Sequence, residues 1–470
     1  MIEMSGSKRI GFFFPLLSVV LAAAAGCGGK TAFVGDAGAD RAADPTDTGG
    51  EDAPPMLTWA RTFAEDLNEG SSIRQVGDGG YIVAAGIGVD DFWVFKLDEH
   101  GNVSWQKSYG GPGYDRAASI RQMPDGGYIV AGDTVSFGAG ESDLWVLRLD
   151  PEGSVIWQMT YGGPGSDFIA GIEETRDGGF IVAGSSYSFD ANGGVWALKL
   201  GPDGGVDWEY VYEPMATGIF IRQTSDGGYV ALAETTSYGV SATALLAFRL
   251  DDEGGVLWQK LYRAGGFEAA GNILETPDGG YVLTGYVDVS EDRYVDVLVL
   301  KLDGGGNIQW QKAYGGNEDD RWSWMDMTSD GGYIVSGGSS SFRRGSDGHD
   351  AWIFKLDAGG GIVWQKSYGG EDEDQADSIQ QTSDGGFVAA GATFSFGPGS
   401  PNIWVLKMDP WGNIDDCPSG MIKDSDASAV SPDIYEQDGY LSAVPTSATV
   451  TDTTVVPVET STLADRQCGG

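Results

Sequence analysis

An Asp-Gly-Gly-aromatic element begins at Asp78, Asp125, Asp177, Asp226, Asp278, Asp330 and Asp384 of the 470-residue chain, at steps of 47, 52, 49, 52, 52 and 54 residues. A repeat of about 50 residues displaces the ordinary expectation of about three domains for this length and points to one array of like units. The copy between Trp105 and Trp157 shows the unit: "ASIRQM", "GGYIVAG", "LWVLRLD" and "VIWQMTYG". Each segment has strand length, is rich in β-branched and aromatic residues, and is bounded by Gly or Asp turns. The unit is therefore a four-stranded antiparallel meander, with Asp-Gly-Gly as the tight turn between its first two strands.

A middle strand such as "WVLRL" is apolar on both sides and needs a neighbouring sheet against each face. Radial stacking supplies both neighbours, so the fold class is all-β: a seven-bladed β-propeller of four-stranded antiparallel blades over residues 56–416. The ends are complementary. An Asp-x-x-Gly-x-x-x-Trp element leads into the fourth strand of most copies, but after Asp409 and Gly412 the Trp position holds Asp416 and the strand is absent. An orphan fourth strand, Trp59–Phe63, precedes the first repeat. It is expected to pair beside Ile403–Met408 and close the ring, which also removes the open sheet ends. Lys107, Lys260, Lys312, Lys366 and Arg61 follow the Trp by two residues, as charge on an outermost edge strand would.

The N-terminus reads as an export signal over residues 1–26: Lys8 and Arg9, an apolar run from Ile10 to Ala25, then Ala-Ala-Gly-Cys ending at Cys27. Cys27 in this setting resembles a bacterial lipobox, with Ala24 where Leu is more frequent, which implies lipidation (palmitate among the acyl chains) and a membrane anchor. Gly28, a neutral residue after the Cys, resembles the sorting signal for the outer membrane. Residues 27–55 are Gly-, Ala-, Asp- and Thr-rich and read as a flexible acidic tether. With Cys27 acylated, Cys417 and Cys468 remain and are expected to pair, strapping a tail of residues 417–470 in a compartment that permits disulfides.

The formal charge of −41 would repel a phosphate backbone, so nucleic acid is excluded as a partner. The repeat unit, "DGGYIVAG" followed by "WVLKLD" and "GNIxWQKSYGG", resembles a family of exported bacterial repeat lipoproteins taken to be β-propellers. The resemblance covers Trp59 to about Asp416. It implies an envelope or cell-surface location and carries over no catalytic residues. The Asp-x-x-Gly-x-x-x-Trp element is also similar to the tryptophan-docking motif of quinoprotein propellers. Their quinone site has adjacent cysteines that this chain lacks, so only the packing motif transfers.

Two histidines, His100 and His349, lie in different repeats, and neither a phosphate-cradling loop nor a Gly-x-Ser-x-Gly elbow is present. The reading is a binding protein rather than an enzyme. In an antiparallel meander the turns joining strands 1–2 and 3–4 share one rim, while the strand 2–3 loops and blade connections share the other. The second rim varies in sequence, and function concentrates on such loops. Five loops there carry Ser before an aromatic, which makes Phe137, Phe189, Tyr238, Phe342 and Phe396 candidates for a ligand-binding rim. Asp115, Asp167, Glu268, Asp320 and Asp374 align in the blade connections. The four aspartates are candidate oxygen ligands for calcium, with hydrogen bonding of loop amides as their structural alternative. The expected partners are an envelope protein or, alternatively, a glycan, with the propeller itself monomeric.

Overall fold

The computed structural model describes residues 56–470, apart from 64–66, 88–90, 190–192, 214–215, 237–242, 264–267, 289–293, 347, 398–400, and in the tail 418–419, 431, 433, 439–441, 446–448, 453–457, 460–463 and 470. The seven repeats form seven antiparallel sheets arranged in a ring, a seven-bladed β-propeller. Blade 2 is typical, with strands Asp115–Gln122, Tyr128–Thr134, Asp143–Leu149 and Val155–Gly162 from the inside outward. Blades 1 and 3–6 begin at Leu67, Asp167, Ala216, Glu268 and Asp320, and blade 7 at Ser378. The first strands of successive blades lie against one another, including that of blade 7 against that of blade 1. Trp59–Phe63 pairs antiparallel with Asn402–Met408, Trp59 opposite Lys407 and Phe63 opposite Ile403, so the seventh sheet takes its fourth strand from the other end of the chain.

The turn chemistry explains the repeated motif. In "SDGGYIVSGG", Gly331 adopts φ +83°, a region that L side chains avoid. A Cβ on Gly332 would sit 2.2 Å from the Leu356 carbonyl oxygen, so the second glycine is required by close approach instead. The turn Asp has two tasks. Asp330 accepts from the Gly332 amide at 3.2 Å and pairs with Lys355 at 2.5 Å. The same ion pair recurs in every blade, with Lys96, Arg148, Lys199, Arg249, Lys301 and Lys407 as the cations, all largely buried beneath half-exposed aspartates.

Successive blades are fastened through the fourth strand. The indole nitrogens of Trp105, Trp208, Trp258 and Trp364 donate at 2.9–3.1 Å to carbonyls in the next blade's Asp-x-x-Gly turn. Trp59 does the same to Glu99 at 3.0 Å across the blade 7–blade 1 seam. Four residues beyond the Trp, Tyr109, Tyr161, Tyr212, Tyr262, Tyr314 and Tyr368 donate at 2.5–2.8 Å to the glycine carbonyl of that turn. Phe63 holds the corresponding place at the blade 7–blade 1 seam, where Arg61 donates to the His100 carbonyl through Nε and Nη2 instead.

The fourth strand is not the outer edge, contrary to what its charged residues suggest. The tail runs round the outside of the ring and adds a fifth antiparallel strand to every blade. It starts on blade 6 with Ile422–Asp424, passes blade 5 with Ser428–Val430, blade 4 with Tyr435–Asp438, blade 3 with Ser442–Pro445, blade 2 with Thr449–Asp452 and blade 1 with Val458–Glu459, and ends on blade 7 with Ala464–Gly469. Its path opposes the order of the blades. The belt satisfies backbone groups that seven outer strands would otherwise leave open. Lys366, read as edge charge, forms an ion pair with Asp424 of the belt at 2.5 Å. Cys417 is disulfide-bonded. Cys468 lies opposite Ala60, two residues from Thr58, whose hydroxyl accepts from the Asp415 amide at 3.0 Å.

Candidate functional site

The variable rim, where the loops after each second strand meet the blade connections, holds most of the side chains singled out from the sequence. Its two recurring features turn out to be one hydrogen-bonded unit. Asp115 is buried; its Oδ2 accepts from the Gly111 amide at 2.8 Å and the Ser136 hydroxyl at 2.7 Å, and its Oδ1 accepts from Thr134. Asp167 is held likewise by Gly163 and Ser188, with Ser186 on its other oxygen. Asp374 is held by Gly370 and Ser395, with Thr393 on its other oxygen, and Asp320 by Gly316 and Ser341. Each Asp thus ties a blade connection to the loop above the next blade. Glu268 opens the first strand of blade 5, but its side chain lies outside the described residues.

Of the four aspartates proposed as calcium ligands, Asp115, Asp167 and Asp374 therefore spend both oxygens on donors within the chain, and Asp320 spends its Oδ2. Among the described residues, no group of three or more His, Cys, Asp or Glu side chains is placed to hold a metal ion. The aromatic partner of each Ser folds down onto its own blade. Phe137 lies 5.1 Å from Trp145, Phe189 5.5 Å from Trp196, Phe342 5.3 Å from Trp352 and Phe396 5.5 Å from Trp404, measured between ring centroids. Phe342 is buried and the other three are half-buried. Instead of projecting as a stacking rim, these rings cap the blades, because burying an aromatic face on a neighbouring indole stabilises more than exposing it to water. Tyr238 and Cys27 lie outside the described residues.

Other groups on this rim carry the exposed apolar surface. Tyr114, in the connection from blade 1, and Val135, in the loop above blade 2, are 39% and 46% exposed and are joined by a hydrogen bond from the Val135 amide to the Tyr114 carbonyl at 2.9 Å. Tyr294 stands on the same rim above blade 5, 41% exposed. No repeated pattern marks these residues.

A second set of aspartates, at the first or second position of third strands, is not among those singled out from the sequence. Asp143 and Asp167 close on the same glycine: a Cβ at Gly162 would meet Asp143 Oδ1 at 1.8 Å and Asp167 Oδ2 at 2.7 Å. Asp296 with Asp320 at Gly315, and Asp350 with Asp374 at Gly369, repeat the arrangement. Burial, reinforced by the facing carboxylate, pushes Asp143 up to about 6 and Asp296 and Asp350 up to about 7. The signal in the sequence was the acid immediately before the apolar strand in "DLWVL", "DVLVL" and "DAWIF".

At the centre of the ring, the inner strands bring charged side chains together at one level. Arg121 donates to both carboxylate oxygens of Glu173, at 3.1 and 2.5 Å, and Arg222 stands 3.7 Å from the same carboxylate. Arg74 and Asp326 lie within electrostatic range. Two residues before Arg222 and Asp326 on their strands, Phe220 of blade 4 and Trp324 of blade 6 meet edge to face at 5.0 Å. That contact skips blade 5. It therefore crosses the channel.

No family model matches the chain, and no curated protein matches it in sequence. Among solved structures, a putative exo-β-1,3-galactanase from Bifidobacterium bifidum is 12% identical, with 62% of this chain and 96% of that one covered and a TM-score of 0.33. A protein of unknown function from Dyadobacter fermentans is 13% identical over 62% and 94% of the two chains, with a TM-score of 0.41. A GH43_12 protein retrieved from a capybara gut metagenome is 10% identical over 88% and 96%, with a TM-score of 0.28. Likeness at this level carries no argument about the chemistry of this chain.

Proposed function

We propose that this chain is an exported, lipid-anchored propeller of the bacterial envelope that acts as a binding module for a protein partner, with the variable rim as its contact face. The observation that supports this reading is the exposed apolar pair Tyr114 and Val135 on that rim. Aromatic and aliphatic groups held at fixed positions on a rigid scaffold are what a protein interface uses as anchors. The lipid anchor rests on the Ala-Ala-Gly-Cys27 signal and the acidic tether after it. A glycan site was motivated by a ring of exposed aromatics, and the packing of Phe137, Phe189, Phe342 and Phe396 on blade tryptophans removes that motive.

The test compares the purified protein with a Tyr114→Asp/Val135→Asp variant as bait for detergent-solubilised envelope. A defined protein retained by the wild type and lost by the variant, with circular dichroism unchanged, supports the reading. Retention of the same proteins by both baits, or of none by either, refutes it.

A further inference from the structure

We propose that the channel mouth on the tight-turn rim is a binding site for a monoanionic carboxylate carried on a small apolar body, with Arg74 and Arg222 holding the carboxylate and Phe220 and Trp324 the body. This site is separate from the variable rim and does not depend on the function assigned to that face.

The argument starts from register. In each blade the first strand places a buried apolar residue opposite the middle of the second strand, as with Ile73 opposite Val83 and Ile221 opposite Ala231. The next residue toward the Asp-Gly-Gly turn is Arg74, Arg121, Glu173, Arg222 and Asp326 in blades 1, 2, 3, 4 and 6, and uncharged in blades 5 and 7. Three guanidinium groups thus face two carboxylates, which leaves one positive charge uncompensated in a chain whose net charge is −41. Dehydrated charge without a partner is costly, so such a group calls for a counter-ion.

The hydrogen bonds show which cations are open. Arg121 is fully engaged: its Nε and Nη2 hold Glu173, and its Nη1 donates to Ser119 Oγ and the Ile120 carbonyl. Glu173 is correspondingly held down at about 2, burial being outweighed by Arg121 and Arg222. Arg222 reaches Glu173 only at 3.7 Å, beyond hydrogen-bond distance. Arg74 uses Nη1 alone, donating to the Ile73 carbonyl at 2.7 Å and to Ser378 Oγ at 3.3 Å. Burial, with Arg121 beside it, lowers its pKa to about 9. Two guanidinium forks with free donors suit an oxyanion, which they bind through paired N–H groups.

The same surroundings choose among oxyanions. A single surplus positive charge matches a monoanion, while Glu173 and Asp326 repel a dianion such as phosphate. Phe220 and Trp324, both half-buried, lie two residues behind Arg222 and Asp326 on the same faces of their strands and offer ring surface to an apolar body.

The test is calorimetric titration of the purified protein with benzoate, acetate and inorganic phosphate at constant ionic strength. The expected result is saturable benzoate binding, weaker acetate binding, and none for phosphate at the same concentrations. Arg222→Gln should weaken benzoate at least tenfold without changing the circular dichroism, Phe220→Ala should bring benzoate to the level of acetate, and Glu173→Gln should tighten both carboxylates several-fold. If Arg222→Gln does not fold, Arg222→Lys, which keeps the charge and loses the fork, should still weaken benzoate about fivefold. Absence of saturable carboxylate binding, phosphate binding as tight as benzoate, or unchanged affinity in the folded Arg222 variant overturns the proposal.

Discussion

The belt makes the clearest quantitative prediction. Cys417 is disulfide-bonded at the start of the tail, and Cys468 returns to the same corner after the tail has passed all seven blades. Their pairing would close a covalent hoop round the propeller, so Cys468→Ser tests both the partner and its worth. The closed loop spans 52 residues counted inclusively. In the chain-entropy account, cross-linking a loop of that length removes about 14 cal/mol/K from the unfolded chain, or about 4 kcal/mol at room temperature. Over about 400 ordered residues the unfolding entropy is roughly 0.9 kcal/mol/K, so the expected fall in Tm is about 5 °C. The assay is thermal denaturation of wild type and Cys468→Ser, each with and without reductant, alongside non-reducing peptide mapping. The variant should match the reduced wild type and show no further response to reductant. Amide exchange should speed up in the belt strands, such as Ser428–Val430, and leave the second and third strands of the blades unchanged. A free thiol at Cys468 in the native protein, or a mapped bond whose loss leaves Tm unmoved, would refute the reasoning.

The remaining predictions concern the seams and the buried acids. Tyr262→Phe removes the hydroxyl that donates to the Gly306 carbonyl at 2.7 Å and should cost about 1–2 kcal/mol in urea unfolding, since that buried carbonyl loses its partner. Asp296, pushed up to about 7 by burial and by Asp320 and Asp319, holds a proton in the native state that the unfolded chain releases near pH 4, so its contribution falls as pH rises from about 4 to 7. Asp296→Asn should therefore flatten that part of the stability profile and raise stability at pH 8 by on the order of 2 kcal/mol, read from urea midpoints at several pH values. Asp330, held down at about 2 by its hydrogen bonds from Lys355 and Thr328, has the opposite sign: its contribution is complete above about pH 4 and is lost as pH falls toward 2. Asp330→Asn should thus lose about 1 kcal/mol at pH 7 and nothing at pH 2, the value kept small because the carboxylate is half-exposed. Gly332→Ala drives a Cβ into the Leu356 carbonyl and should lower Tm by several degrees, whereas Ser329→Ala in the same turn should not.

Legibility followed repetition. The turn Asp, the two glycines after it and the fourth-strand Trp recur in nearly every unit because each answers a local demand: positive φ, a carbonyl at 2.2 Å, an indole docked on the next turn. The Ser-aromatic and Asp elements were visible for the same reason, but repetition marked them as parts of the frame rather than as ligand groups. The channel arginines were in plain view in "SIRQ". They carried no meaning there, because the charge imbalance exists only once residues 74, 121, 173, 222 and 326 meet at one level.

The sequence alone determined the number of blades, the strands in each and the rims on which their turns fall, since period, alternation and turn residues act over a few neighbours. The belt was decided by tertiary structure. Segments of two to six residues have too little pattern to announce a strand, and they become strands because the finished ring offers each an outer edge with unpaired backbone groups. The paired aspartates and the surplus charge in the channel were likewise decided there, since each depends on residues brought together from different blades.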